Sequence, residues 1–399
     1  MNVIVLTQYY KPEMGAPQNR LYEMVQGLIL NGANVTVVTS LPNYPRGDIF
    51  PEYKGKFYCL ENPDGVDIHR YWLYASNSKN KFSRFLNMLS FSGTSLFSFL
   101  KLKKKNIDII IVESPPLTLG LTAYMLSRLL RAKLVVNISD LWPLSAKELG
   151  AMSENSIAYK LLEKLERFLY KKAELCLGQS AEITEYIKQK GAKRVYLFRN
   201  GVDPSRFNSL SVPKSSPEKT LKIIYAGLLG FAQGIYDVCK NVDFKSLNAE
   251  FHIYGAGGEQ KIIEDWLFVN KDSNIYFHGS VTREEIPIVL SKADVTLVPL
   301  VTNIFGAVPS KIYEAMAAGL PILFSGEGEG ARIVSENDIG WVSSSKDYTG
   351  LANNIEQIVL HPEYTVVKRN NCLHCANEKF NRPKQIKDLF CCLESILVQ

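Results

Sequence analysis

No stretch of this chain stays apolar for the roughly 20 residues that a membrane-spanning helix needs. Lys, Asn, Ser or Gly interrupts each hydrophobic run well before that length, so no spanning segment is expected. No basic segment precedes the first apolar run, Asn2-Val3-Ile4-Val5-Leu6, and a secretory signal is not expected either. Cysteines number seven, odd and scattered, which suits a reducing compartment better than a disulfide framework. Low-complexity tracts and repeats of solenoid length are missing, which excludes disorder and repeat architecture. Positive charge is in modest excess, +6 over 399 residues, and no nucleic-acid partner is expected.

What is present is the balance of a globular protein, with 46% hydrophobic and 22% charged residues. The length suits two domains. Short runs rich in Val, Ile and Leu, at 3–6, 35–39, 107–112 and 134–138, read as strands buried on both faces. Amphipathic stretches at 20–30 and 117–130 lie between them, and strand–helix alternation predicts a doubly wound parallel sheet. A polar segment at 209–220, with Pro213, Pro217 and several serines, reads as a linker. The pattern then restarts with strands at 221–225, 251–254, 275–278, 295–298 and 321–324. The predicted fold is α/β: two Rossmann-like domains, 1–203 and 204–375, facing each other across a cleft.

Candidate site residues fall where these strands end. The loop Thr7-Gln8-Tyr9-Tyr10-Lys11-Pro12-Glu13-Met14-Gly15-Ala16-Pro17 is long for a strand–helix connection, and Gly15 lets a ligand approach closely. It lacks the further glycines of a dinucleotide fingerprint. Asp140, in Asn137-Ile138-Ser139-Asp140-Leu141-Trp142-Pro143, ends a strand where such folds bind ligands. It is read as a partner for an acceptor or sugar hydroxyl, with a helix N-cap or turn aspartate as the plain alternative.

Two glycine loops, Tyr225-Ala226-Gly227-Leu228-Leu229-Gly230-Phe231-Ala232-Gln233-Gly234 and Tyr254-Gly255-Ala256-Gly257, offer backbone N–H groups to a diphosphate. The segment Val308-Pro309-Ser310-Lys311-Ile312-Tyr313-Glu314 reads as the start of a helix. Its positive end, with Ser310 and Lys311, faces an anion, and Glu314 sits one turn inside to meet ribose hydroxyls. The alternative is an ordinary capped helix with Glu314 as a surface charge.

Cys372-Leu373-His374-Cys375 has the look of half a zinc site, but it lies in a helical pattern without a second ligand pair, and no metal is expected. The segment 82–100 holds five phenylalanines and four leucines, with Phe82, Phe85, Leu86 and Leu89 at helical spacing. Arg84 lies within it, and Lys101, Lys103, Lys104 and Lys105 follow. A core helix with a solvated end is one reading; the expectation taken forward is attachment to an anionic membrane surface.

In this order, these residues resemble the family-four GT-B glycosyltransferases, and are most similar to their WbuB-like subgroup of fucosamine transferases. Lys11 to Pro17, Leu41-Pro42-Asn43-Tyr44-Pro45, Glu113-Ser114-Pro115-Pro116-Leu117, Ser139 to Pro143, Asn200-Gly201-Val202-Asp203 and Val308 to Pro321 carry the likeness. The resemblance implies a retaining, metal-independent transferase with no cofactor. Its donor is a nucleotide diphosphate sugar, expected to be UDP-linked, and the sugar an N-acetylated deoxyamino sugar such as N-acetylfucosamine. The acceptor implied is a polyprenyl-diphosphate-linked saccharide of bacterial O-antigen or capsule synthesis. Attachment to the inner face of the plasma membrane is implied with it.

By the same likeness the donor-binding residues are Gly15, Gly227, Gln233, Gly255, Gly257, Thr282, Arg283, Val308, Pro309, Ser310, Lys311 and Glu314. Asp140, Lys311 and Glu314 carry catalysis, and a helix at 376–399 crosses back to the first domain. The chain departs from the wider family in having Gly306 at the first Glu of its E-x7-E motif, and Leu228 and Gln233 at the usual Arg and Lys. Leu144 stands where the subgroup commonly has Glu. A GT-B epimerase or hydrolase, or a non-catalytic sugar-nucleotide-binding protein, are the alternatives.

Overall fold

A computed structural model describes residues 1–78, 80–207, 220–302 and 304–398, with backbone alone at Lys81 and Arg84. The expected linker at 209–220 lies almost wholly outside the described residues, as does the side chain of Arg84. The chain forms two compact units, one of Met1–Arg199 with Pro383–Gln399, the other of Asn200–Arg382.

The first unit is built on eight strands: β1 (Asn2–Leu6), β2 (Asn34–Ser40), β3 (Tyr58–Glu61), β4 (Asp67–Tyr71), β5 (Ile109–Ser114), β6 (Lys133–Ile138), β7 (Leu175–Gly178) and β8 (Val195–Leu197). Their order is β3-β4-β2-β1-β5-β6-β7-β8. All neighbours are parallel except the β3–β4 pair. Successive side chains of a strand point to opposite faces. Ile4 and Leu6 therefore enter one core layer, while Val3 and Val5 enter the other. Burial on both faces is why β1 reads as an unbroken apolar run. The second layer also takes Ile386, Leu389, Leu393 and Ile396 from the helix Arg382–Leu397.

The second unit holds β9 (Leu221–Ala226), β10 (Ala249–Tyr254), β11 (Ile275–Phe277), β12 (Val295–Pro299), β13 (Ile322–Ser325) and β14 (Gly340–Ser343). They are parallel throughout, in the order β11-β10-β9-β12-β13-β14. The order reverses between β9 and β12, and ligands of doubly wound sheets bind beyond the carboxyl ends of the strands at such a switch point. Where the chain enters and leaves this unit, Val202 and Asn381 form a parallel bridge.

The 82–100 segment is helical as expected, over Lys81–Thr94, a short turn at Ser95–Phe97, and Ser98–Leu102. It serves two environments: Phe91 and Leu102 are core, whereas Phe82, Phe85, Leu89, Phe97 and Leu100 are exposed. No helix among the described residues is long and apolar enough to cross a membrane.

Candidate active site

At the carboxyl edge of the second sheet the two glycine loops cross in direct contact. Gly227 N donates to Tyr254 O at 2.9 Å and Leu229 N to Ala256 O at 2.9 Å. A Cβ on Gly255 would stand 1.8 Å from the Gly227 carbonyl oxygen, so no side chain fits there. Gly227 has φ 151°, and a Cβ on it would collide with the Lys311 side chain, 2.2 Å from Cε. Gly255 thus lets the loops touch, and Gly227 clears a space that Lys311, at the start of the helix Lys311–Ala317, fills.

The Lys311 ammonium lies 5.2 Å from the centre of the Tyr225 ring. Among the described residues it makes no ion pair. Burial lowers its pKa, and the Glu314 carboxylate nearby acts the other way. A desolvated cation that forms no ion pair is a costly arrangement in a resting protein. It suits a site that an anion completes. Glu314 is half-buried one turn along, Val308 and Pro309 are half-buried, and Ser310 is exposed.

The structure revises the expected part of the loop N–H groups. Those of Gly227, Leu229 and Gln233 are already bound within the loops, and that of Gly255 donates to the Gly279 carbonyl beyond β11. The buried carboxylate of Glu259 accepts from Ile235 N at 2.9 Å and Tyr236 N at 3.3 Å, so the amino end of the helix Ile235–Asn241 is also engaged. Sequence reading missed Glu259, although its place just after the second glycine loop was the available signal. Half-buried Gln233 packs against Gly230, and Leu228 is 64% exposed. At the end of β11, exposed Thr282 gives both its N–H and its hydroxyl to Glu285, at 2.8 and 2.9 Å, while the Arg283 carbonyl accepts from Arg206. No contact links this pair to Lys311, but β11, β10, β9 and β12 are neighbours and end on the same edge.

Gly15 and Asp140 belong to the first unit. Gly15 precedes the helix Ala16–Leu30 with no side-chain cap, and the Gln18 carbonyl occupies the place its Cβ would take. Asp140 lies between β6 and the helix Leu144–Glu148. It is half-buried and accepts from Ser145 Oγ at 3.1 Å. The N-cap of that helix is Pro143, so the N-cap alternative for Asp140 does not hold in that form. Burial raises its pKa, against the hydrogen bonds from Ser145, Leu141 and Trp142.

Beside it runs a buried network that sequence reading did not assemble. Glu113 accepts from Arg20, from Ser139 Oγ at 2.6 Å and from Asn137 Nδ2, while Arg20 also donates to Gln179 at 3.1 Å. Glu13, 1% exposed, joins the first loop to the second by accepting from Asn43 N at 2.7 Å and Tyr44 N at 2.8 Å. Burial holds its pKa up, at about 7, although these backbone bonds pull it down. Cys372 and Cys375 are buried core residues, with Cys372 Sγ near the carbonyls of Leu320 and Ile339. Of the lysines after the Phe-rich helix, Lys105 pairs with Asp67 at 2.8 Å and Lys101 lies over the Tyr58 ring.

Comparison with known proteins adds to this geometry. Residues 208–372 match the family model of Glycosyl transferases group 1, and residues 15–201 that of the Glycosyl transferase 4-like domain. WbjE of Pseudomonas aeruginosa, named a probable glycosyltransferase, is 28% identical over 78% of this chain and 80% of its own. WcaI of Escherichia coli K12, named for glycosyl transfer in colanic acid biosynthesis, is 24% identical over 92% and 95%. Among solved structures, HepE of Anabaena with UDP and glucose matches with a TM-score of 0.68 at 14% identity, over 98% of this chain and 99% of that one.

Proposed function

Because the chain belongs to the group 1, 4-like glycosyltransferases, we propose that it moves a sugar from a UDP-sugar to a polyprenyl-diphosphate-linked saccharide in bacterial surface-polysaccharide assembly. In this reading transfer retains the anomeric configuration and needs no metal. The observation that carries it is the desolvated, unpaired Lys311 ammonium above Gly227, which a diphosphate completes. As the bond from the sugar C1 breaks, negative charge grows on the leaving diphosphate. A cation already in place, in poor contact with water, stabilises that charge without reorganising.

Glu314 takes the ribose hydroxyls, and the edge near Thr282 and Arg283 takes the uracil side of the donor. HepE, of like fold, was solved with UDP, which supports a uridine nucleotide. Relatives named for colanic acid biosynthesis support a polysaccharide product. The WbuB-like motifs support an N-acetylated deoxyamino sugar such as N-acetylfucosamine. Asp140, its charge partly desolvated, places the acceptor hydroxyl. The exposed Phe82, Phe85 and Leu89 hold the first domain at the inner leaflet where that acceptor lies.

The test is turnover of a panel of UDP-sugars by the purified protein, with and without a lipid-linked saccharide. Sugar transfer that requires the lipid acceptor is expected. UDP release at the same rate without acceptor would make the protein a hydrolase, and no release at all a binding protein. Asp140→Asn should keep UDP affinity and lose most of the transfer rate, a hundredfold or so if the carboxylate acts as a general base; full turnover by this variant would remove Asp140 from the mechanism.

A further inference from the structure

Beside the β3–β4 hairpin of the first unit lies a pocket of about 310 Å³ that the proposed reaction does not use. Its lining comes from the first loop, the helix Ala16–Leu30 and the hairpin. In the sheet order β4 and β6 stand four strand spacings apart, on the order of 20 Å. The pocket is therefore separate from Asp140 at the end of β6.

Tyr10, Tyr22 and Tyr53 give it an aromatic lining, and groups of both polarities stand among the rings. Lys11 holds its ammonium 3.7 Å from the centre of the Tyr22 ring and forms no ion pair among the described residues. Arg70, 1% exposed, gives Nε to Glu61 at 2.8 Å and Nη2 to the Lys11 carbonyl at 2.6 Å. Its Nη1 is buried with no hydrogen-bond partner among the described residues. Asp64 lies 3.5 Å from the Tyr22 hydroxyl, and Gln26 follows Tyr22 by about one turn on the same helix.

A plain explanation is that Arg70 ties the hairpin to the first loop. That accounts for Nε and Nη2 alone. A buried donor without a partner is costly and uncommon. The groups around the guanidinium, Glu61, Lys11 and Tyr53, all line the pocket as Arg70 does, so the missing partner comes from that side.

The chemistry of the lining selects the ligand. Two cations stand against two carboxylates, which disfavours a phosphate: it would face Glu61 and Asp64 as well as Lys11 and Arg70. A sugar hydroxyl donates and accepts at once. It can take from Arg70, Lys11 or Gln26 and give to Glu61 or Asp64, while the apolar face of the ring packs on tyrosine. Aromatic lining with a few placed polar groups is the make-up of small-ligand pockets.

We infer that this pocket holds one neutral sugar ring of the saccharide acceptor, remote from the ring that is glycosylated. The inference rests on the proposed saccharide acceptor and deepens that reading. A saccharide long enough to be held at both points gains affinity through effective concentration, and a shorter one does not. The pocket thus selects acceptors by length.

The experiment is ligand-observed NMR on the full-length protein, with the methyl glycosides of glucose, galactose and N-acetylglucosamine as probes. At least one should bind, with a dissociation constant on the order of 1 mM, as suits a single sugar ring. Tyr22→Ala removes part of the wall and Gln26→Trp fills the space. Each should weaken binding about tenfold and leave the unfolding midpoint close to that of the wild type. Should Tyr22→Ala lose its fold, Gln26→Trp alone decides. Binding of none of the three glycosides, or binding that survives the exchanges, overturns the inference. So does displacement of the glycoside by inorganic phosphate at equal concentration, since the pocket is then a site for an anion. The assay needs neither donor nor turnover, so its outcome is separate from that of the proposed transfer.

Discussion

Two buried charges, one in each unit, are held in opposite ways. In the first, Arg20 and Glu113 are both almost fully buried, yet each is tied to the other and to neutral partners. In the second, Lys311 is desolvated, with an aromatic face beside it and the Glu314 carboxylate nearby, but in no ion pair among the described residues. A satisfied charge holds loops in position; an unsatisfied one waits for a ligand. The contrast separates scaffold in the first unit from site in the second.

Breaking the satisfied side should have the largest effect. Glu113→Ala leaves the Arg20 guanidinium buried without its carboxylate, and the loss of one partner of such a pair costs about 3–5 kcal/mol. Urea unfolding should show it directly. A change below about 1 kcal/mol would mean that water already screens the pair, and the contrast between the units would fail.

Lys311→Met should act in the reverse sense. UDP affinity in calorimetry should fall by about 1.5–3 kcal/mol, the value of a charged hydrogen bond, while the unfolding midpoint stays level or rises because an uncompensated cation has gone. Lost stability with unchanged affinity would make Lys311 a structural residue.

The smallest effect is one of pH. Glu166 is fully buried and accepts from the Tyr170 and Tyr186 hydroxyls at 3.1 Å. Burial raises its pKa from 4.5 to about 7, as it does that of Glu13. The folded state then holds a proton that the unfolded state releases. The stability each group contributes is complete below about 4.5 and is lost as pH rises through about 7. Stability relative to Glu166→Gln should therefore be greater at pH 5 than at pH 8, and a pH-independent difference would place Glu166 in contact with water.

How much of this was open to sequence reading follows from what a linear window can see. Strands buried on both faces, such as β1, β5 and β12, are continuous apolar runs and were legible. The β3–β4 hairpin was not, because Tyr58-Cys59-Leu60-Glu61 forms no such run at the sheet edge, and β14 opens with Gly340. The unit boundary falls at Arg199, before the polar segment chosen from composition, since a short connection carries no compositional mark.

The Lys311 segment stood out because its residues are consecutive. Its contact with Gly227 did not, and neither did Glu259 capping a distant helix or Glu113 gathering Arg20, Asn137 and Ser139. The lysine run at 101–105 attracted notice through contiguity alone, yet the fold engages Lys101 and Lys105 within the chain. Arg128, Arg131, Lys133, Lys171, Lys172 and Lys193, which no window holds together, line one pocket.

The order in which these units can be completed follows from one helix. Ile386, Leu389, Leu393 and Ile396 fill a core layer whose other members come from the first two hundred residues. During synthesis that layer stays open while the whole second unit is made, since domains form as their residues emerge from the ribosome. The second unit, uninterrupted from Asn200 to Arg382, can close first. The N-terminal unit is begun earliest and finished last, and a chain stopped at Arg382 would present its helix Ala16–Leu30 with an uncovered apolar flank for chaperones and proteases to find.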